Sequence, residues 1–176
     1  MTDVPAPSAE RLEWFNELPR QTAVAALLTV CHSHRWADAV ADGRPYRDLE
    51  SLQGTADEVW LRLDPADWRE ALDGHPRIGE QGGSSAHFSR QEQAGMSGAA
   101  EELRAAIAAG NRAYEDRFGH VFLISAAGRA PAEILAELER RLDNSPDAEL
   151  REAAEQHRRI SALRLERLLR RPGTPG

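Results

Sequence analysis

The sequence predicts an all-α fold, a single-domain helical bundle with one short extended segment. Apolar residues recur at three- and four-residue intervals through nearly the whole chain, which is the period of an amphipathic helix. Proline and glycine stand where helices would begin and end, and only the run VFLISAAG has a strand-like composition. The length of 176 residues suits one domain. We therefore expect residues 1–176 to form a single domain, with flexible tails at 1–7 and 172–176.

Four helical segments are predicted before the histidine–proline pair at residues 75 and 76. SAERLEWFNEL begins at the N-cap residue Ser8, and TAVAALLTVCHSHRWADAVADG follows as one segment that ends at Gly43. YRDLESLQGTADEVWLRL carries its apolar residues at helical spacing. In LDPADWREALDG, Asp64 is the predicted N-cap, Pro65 lies in the first turn and Gly74 ends the helix.

The second half of the chain also reads as helical. GGSSAHFSR is predicted to be a loop, and SRQEQAGM begins a long helix that continues through AAEELRAAIAAGNRAYEDRFG, with an interruption near residues 96–98. APAEILAELERRLDN begins at Pro131. The last helix, within SPDAELREAAEQHRRISALRLERLLRRPG, begins at Ser145 and Pro146 and ends before Pro172.

Composition excludes several classes of function. A net charge of −7 argues against a nucleic-acid-binding protein, which carries a basic surface. No apolar run is long enough to span a bilayer, and the N-terminus MTDVPAPSAE does not resemble a secretory signal, so we expect a cytoplasmic protein. The single cysteine, Cys31, excludes an internal disulfide and a cysteine-based zinc site. All 22 basic residues are arginine, so Schiff-base chemistry on lysine is also excluded.

His75 is the histidine with the most informative context, because it lies between Gly74 and Pro76 in GHPRIGEQ. The residue before a proline is restricted to an extended backbone, which would fix the imidazole for proton transfer near neutral pH. The alternative is that the His–Pro pair only ends a helix.

The other histidines point less clearly to chemistry. His32 and His34 are two residues apart and therefore lie on different faces of a helix, which is a poor arrangement for a metal. His157 lies among charged residues, and we expect it on a solvated face.

SRQEQ also has two readings. Ser89 and Glu92 have the spacing of a capping box, in which each side chain bonds to the backbone of the other residue. Ser89, Glu92 and Gln93 also share one helical face at a helix N-terminus, where backbone N–H groups favour an anionic ligand. The two readings are compatible.

Arg164 lies near the edge of an apolar stripe that we assign to Ile160, Leu163 and Leu168. Its side chain either extends outward to solvent or enters a pocket, where a guanidinium binds a carboxylate or carbonyl oxygen. The extended run VFLISAAGR offers backbone N–H and C=O groups to a flat heterocycle with amide edges.

Taken together, these motifs resemble a known family. HPRIGE, SRQEQAGM, NRAYEDRFGHVFLISAAGR and the ending E-L-x-x-A-x-x-x-x-x-x-I-x-x-L-R-L occur in order, and the likeness runs from Leu12 to Leu169. They resemble the OHCU decarboxylases, whose substrate is 2-oxo-4-hydroxy-4-carboxy-5-ureidoimidazoline (OHCU). The HPRIGE form is similar to the bacterial branch.

The resemblance implies a helical bundle, often a homodimer, that converts OHCU to (S)-allantoin at the end of urate breakdown without a metal or organic cofactor. It places the catalytic residues at His75, Glu92 and Arg164. From the net charge and the lack of a long apolar run we also expect no nucleic-acid partner and no membrane association. The substrate-binding residues that the resemblance implies are Pro76, Ser89, Arg90, Gln91, Gln93, Phe122, Leu123, Ile124, Ser125 and Ala126.

Two other functions stay open from the sequence. One is a non-catalytic helical scaffold that keeps the fold without turnover. The other is a decarboxylase or hydratase that acts on a different small heterocyclic acid.

Overall fold

The computed structural model of the protein describes residues 9–75 and 101–170. These residues form eight helices and no β-strand, so the predicted all-α fold is confirmed. None of these helices is long and apolar enough to cross a membrane. The helices are α1 (Ala9–Glu17), α2 (Arg20–Leu28), α3 (His34–Asp42), α4 (Leu49–Arg62), α5 (Pro65–Asp73), α6 (Glu101–Phe118), α7 (Pro131–Leu142) and α8 (Pro146–Arg170).

The described residues group into two compact units. Residues 9–67 and 161–170 belong to the first unit, and residues 68–75 and 101–160 belong to the second. The unit boundaries fall inside α5 and α8, so each of these helices contributes residues to both units. The expectation of a single domain with flexible tails stays a prediction, and both tails lie outside the described residues.

The predicted single helix over TAVAALLTVCHSHRWADAVADG is wrong, because the chain forms two helices there, α2 and α3. At the end of α2 the Thr29 hydroxyl donates to Ala26 O at 2.6 Å. Ser33 then caps α3, since its Oγ accepts a hydrogen bond from Trp36 N at 3.2 Å. These two hydroxyl residues satisfy backbone groups that a continuous helix would use itself.

Gly43 follows α3 as predicted, although its backbone is right-handed with φ −74°. The reason for glycine there is space. A Cβ at this position would lie 2.4 Å from the hydroxyl oxygen of Tyr46, which donates to Val40 O at 2.6 Å.

The predicted start of α5 is confirmed. Asp64 Oδ1 accepts hydrogen bonds from Ala66 N at 2.9 Å and Asp67 N at 3.1 Å, which satisfies amides of the first turn. Pro65 is the first residue of this helix. At the other end of α5, His75 N donates to Leu72 O at 3.1 Å.

The described residues of the second unit include two apolar clusters. The larger one joins α6, α7 and the segment between them, and its buried residues are Ile107, Tyr114, Phe122, Ile124, Ala126, Ile134 and Leu138. The smaller one joins α5, the same segment and α8, and its buried residues are Leu72, Leu123, Leu150, Ala153 and Ile160. The segment before Gly128 therefore packs against helices on both of its faces.

The apolar stripe that we assign to α8 is only partly right. Ile160 is buried, but Leu163 is 36% exposed and Leu168 is half-buried. The true buried stripe is shifted because it includes polar residues, which an apolar pattern cannot reveal. Those buried polar residues of α8 are Glu149, Gln156, His157, Ser161 and Arg164.

Candidate functional site

Residues 122–126 lie between α6 and α7 and belong to neither helix nor sheet. Phe122, Ile124 and Ala126 pack into the larger cluster, whereas Leu123 packs into the smaller one. This alternation has the two-residue period of an extended chain, in which successive side chains point to opposite faces. The short extended segment predicted from composition is therefore present.

Two buried side chains hold one edge of this segment. Arg141 Nη1 of α7 donates to Leu123 O at 2.7 Å. The backbone N–H of Ser125 donates to Gln156 Oε1 of α8 at 3.0 Å. The main chain of the segment is thereby tied to both α7 and α8.

Arg141 is itself fixed by a buried network with Tyr114 and Glu149, and all three residues are fully buried. Its Nε donates to Glu149 Oε1 at 2.8 Å, and its Nη2 donates to the same oxygen. The Tyr114 hydroxyl also donates to that oxygen, while Asn144 Nδ2 donates to Glu149 Oε2 at 2.8 Å. Burial raises the pKa of the Tyr114 hydroxyl above its usual value, so it remains a proton donor to the carboxylate.

His75 follows α5 and is 6% exposed. Its ring meets the ring of His157 edge to face, with centroids 4.8 Å apart and an interplanar angle of 81°. The backbone bond from His75 N to Leu72 O ties it to the end of the helix, and Leu72 packs in the same cluster as Leu123. The structure thus brings predicted catalytic and substrate-binding residues of the second unit into one region.

The expectation that His157 lies on a solvated face is wrong, because its side chain is fully buried. It directly follows Gln156, which holds Ser125. Neighbouring residues of α8 therefore contact both His75 and the extended segment.

Arg164 belongs to the first unit and is fully buried. Its Nη1 donates to Val30 O at 3.4 Å, just beyond the end of α2. The alternative in which this side chain extends outward to solvent is therefore wrong. A buried guanidinium is a fixed positive charge with planar donors, which is the arrangement that recognises a carboxylate or a carbonyl oxygen.

The remaining predicted site residues lie outside the described residues. These undescribed residues are Pro76, Ser89, Arg90, Gln91, Glu92 and Gln93.

Within 9–75 and 101–170, no group of three or more His, Cys, Asp or Glu side chains is arranged to hold a metal ion.

Comparison with known proteins decides the family. The model of the OHCU decarboxylase family matches residues 16–166. The chain belongs to the OHCU decarboxylase family. The family predicted from the motifs is therefore confirmed.

Individual relatives agree with this membership. The 2-oxo-4-hydroxy-4-carboxy-5-ureidoimidazoline decarboxylase of Mus musculus is 33% identical over 138 residues, which cover 76% of this chain and 78% of that protein. The uric acid degradation bifunctional protein TTL of Arabidopsis thaliana is 32% identical over 145 residues, or 78% of this chain. The chain spans only 44% of the length of that bifunctional protein.

A solved structure shares the fold. It is a crystal structure of an OHCU decarboxylase in the presence of (S)-allantoin, and its TM-score with this protein is 0.72 at 29% sequence identity. The similarity covers 81% of this chain and 95% of that one.

Sequence reasoning missed the side chains that support the segment, namely Arg141, Glu149 and Gln156. In the sequence each resembles an ordinary surface residue of a charged helix. One signal was available for Arg141: with Ile134 and Leu138 it has the spacing i, i+4 and i+7 on the buried face of α7.

Proposed function

We propose that this protein decarboxylates OHCU to (S)-allantoin in urate degradation, without a metal or organic cofactor. The observation that carries the proposal is the family match over residues 16–166, which spans the part of the chain that contains all the predicted catalytic residues. The buried position of His75 is consistent with a water-poor site for this chemistry.

The reaction places clear demands on the protein. When the C–C bond to the carboxylate breaks, its electron pair stays on the ring carbon, and the ring delocalises this charge as an enolate into an adjacent carbonyl or imine group. The site must donate hydrogen bonds to the developing negative charge and supply a proton to one face of the carbon. Reprotonation on a single face yields one enantiomer of allantoin.

His75 takes the proton-transfer role in this proposal, either at the substrate hydroxyl or at the new C–H bond. An imidazole exchanges protons near neutral pH, and the contact with His157 fixes the orientation of its ring. Pro76, the next residue in the sequence, takes a substrate-binding role in the proposal.

The other predicted residues bind the ring and its substituents. Glu92 and Gln93 hold ring or ureido N–H groups in this proposal, and Ser89 also binds the substrate. Arg164 binds a carbonyl oxygen or the carboxylate with its planar fork. The backbone of residues 123–126 aligns the ureido arm, for which the extended geometry of that segment is suited.

Two further expectations belong to this proposal. We expect the protein to be a homodimer, which light scattering on the purified protein measures directly. We also expect it in the cytoplasm, which fractionation of the native cells tests.

Circular dichroism tests the proposed reaction. OHCU is generated in the cuvette from urate by urate oxidase and hydroxyisourate hydrolase, and the optical signal of allantoin is followed with and without the protein. The uncatalysed reaction gives racemic allantoin, so a growing (S)-allantoin signal requires stereospecific catalysis.

The same assay separates the rival functions. A helical scaffold would leave the racemic time course unchanged. An enzyme for a different ring acid would also leave the racemic time course of OHCU unchanged, but it would turn over its own substrate. Either result would reject the proposal.

A further inference from the structure

We propose that Arg141 and Gln156 are positioning residues for substrate binding, because they hold one edge of the extended segment 122–126 so that the other edge, at Ile124, meets the substrate. This inference rests on the proposed function, since it concerns the same site. Neither residue is among the positions that the family resemblance assigns.

The backbone groups of an extended chain alternate between its two edges. The N–H and C=O of one residue point to the same side of the strand, and those of the next residue point to the opposite side. Leu123 and Ser125 therefore share one edge of the segment, and Ile124 faces the other. The alternating burial of these side chains between two clusters supports this extended geometry.

The two edges of the segment differ in the hydrogen bonds that their backbone groups make. Arg141 Nη1 binds Leu123 O at 2.7 Å, and Gln156 Oε1 accepts from Ser125 N at 3.0 Å, so both contacts lie on the same edge. None of the hydrogen bonds among the described residues uses the backbone N–H or C=O of Ile124. This main-chain pair is a donor beside an acceptor, which matches the C=O and N–H of a ureido group or cyclic amide.

The side chains of Arg141 and Gln156, which hold the segment, are themselves fixed in place. The guanidinium of Arg141 cannot rotate without breaking its bonds to Glu149, and both side chains are fully buried. The guanidinium carbon also lies 4.6 Å from the centroid of the Phe122 ring, so the same arginine contacts the segment twice. Gln156 is buried within α8 and is followed by His157, whose ring contacts His75.

This arrangement fixes the distance between the main-chain binding edge and the catalytic region. A substrate arm that pairs with Ile124 is held in register with His75 because both are anchored by consecutive residues of α8. Loss of the Gln156 contact would therefore weaken substrate binding without removing any group that transfers a proton.

The principal test compares Gln156→Leu with Gln156→Glu in the full-length protein. Leucine has a similar size but no acceptor, whereas glutamate keeps an oxygen at the same position. We expect Gln156→Leu to raise KM for OHCU about tenfold, with kcat within about twofold of the wild type. The substrate arm pairs with the main chain of Ile124 equally in the ground state and the transition state, so only binding should weaken. We expect Gln156→Glu to restore most of the lost affinity.

A matched control separates positioning from general destabilisation. Leu52 is fully buried in the first unit, whereas the segment belongs to the second, so Leu52→Ala lowers stability by a substitution outside the unit that holds the segment. We expect its KM to equal that of the wild type. An unchanged KM in folded Gln156→Leu, or an equal rise in Leu52→Ala, overturns the inference.

A second measurement does not depend on turnover. Hydrogen exchange of the Ser125 amide reports its bond to Gln156 directly. We expect faster exchange at Ser125 in Gln156→Leu, and also in Arg141→Lys, because one ammonium cannot hold both Glu149 and Leu123 O. Protection equal to that of the wild type in both variants overturns the inference. If the wild type itself did not turn over OHCU, the proposed function would be rejected instead.

Discussion

The imidazole rings of His75 and His157 meet edge to face, with their centroids 4.8 Å apart. One ring follows α5 and the other belongs to α8, so the contact joins two helices of the second unit at the predicted catalytic histidine. His157 is more buried than His75, with exposures of 0% and 6%. It therefore forms a fixed wall against which the orientation of His75 is set.

We expect kcat to fall more when the ring of His157 is removed than when it is replaced by an apolar ring. We expect His157→Ala to lower kcat by between about tenfold and a hundredfold, because small displacements of a catalytic group are costly. His157→Phe keeps a flat ring and should stay within about threefold of the wild type. Steady-state kinetics on OHCU measures both variants. A slower His157→Phe than His157→Ala would show that ring shape is not what matters.

Arg164 should tolerate even a conservative replacement poorly. Lysine retains the charge but lacks the planar fork, so we expect Arg164→Lys to reduce kcat/KM by about tenfold to a hundredfold. Arg159→Lys on the same helix is the control, because Arg159 is exposed and pairs with Glu155 at 3.0 Å. Equal kinetics in the two variants would remove Arg164 from the site.

The buried ion pair of Arg141 and Glu149 should contribute more to the free energy of unfolding than the ion pairs of the exposed Arg140. Arg141→Met leaves Glu149 buried without its charge partner, and we expect a loss of about 3–5 kcal/mol in the free energy of unfolding. Arg140→Met removes an exposed arginine that pairs with the half-buried Glu137 and Glu152, and it should cost about 1 kcal/mol or less. Urea denaturation at pH 7 measures both. The double variant Arg141→Met/Glu149→Leu should recover part of the loss, and a double variant less stable than Arg141→Met would contradict this reading.

His120 should make the protein less stable in mild acid. Burial lowers the pKa of this imidazole below its usual value, so the unfolded chain binds its proton more readily than the folded one. The free energy of unfolding should then fall as the pH drops below about 6.5, the ordinary value for histidine. His120→Phe removes this contribution. Urea denaturation at pH 7.5 and 5.5 should show a smaller loss in the variant, and an identical loss would contradict the burial argument.

The sequence predicts much of this fold because its helices carry local signals. Asp64 and Pro65 begin α5 as predicted, since capping and first-turn geometry depend only on neighbouring residues. The break between α2 and α3 was missed. It depends on Ser33, whose capping role appears only once the chain leaves the helix.

The site was predictable where it has motifs and unpredictable where it depends on burial. His75 stands out because of its proline neighbour, whereas His157 lies in a charged stretch that resembles a surface. The stripe of α8 that buries Gln156, His157 and Arg164 is partly polar, and an apolar period cannot detect it. The burial of such residues is known only once the positions of the helices that cover them are known.

The most direct test of the account is the appearance of (S)-allantoin by circular dichroism, with wild type and His75→Asn at equal concentration. Asparagine is polar and smaller than histidine, and far-UV spectra establish that the variant is folded. We predict that the wild type generates the (S)-allantoin signal and that His75→Asn gives only the racemic time course of buffer. A His75→Asn signal at the wild-type rate, or no signal from the wild type, would contradict the account.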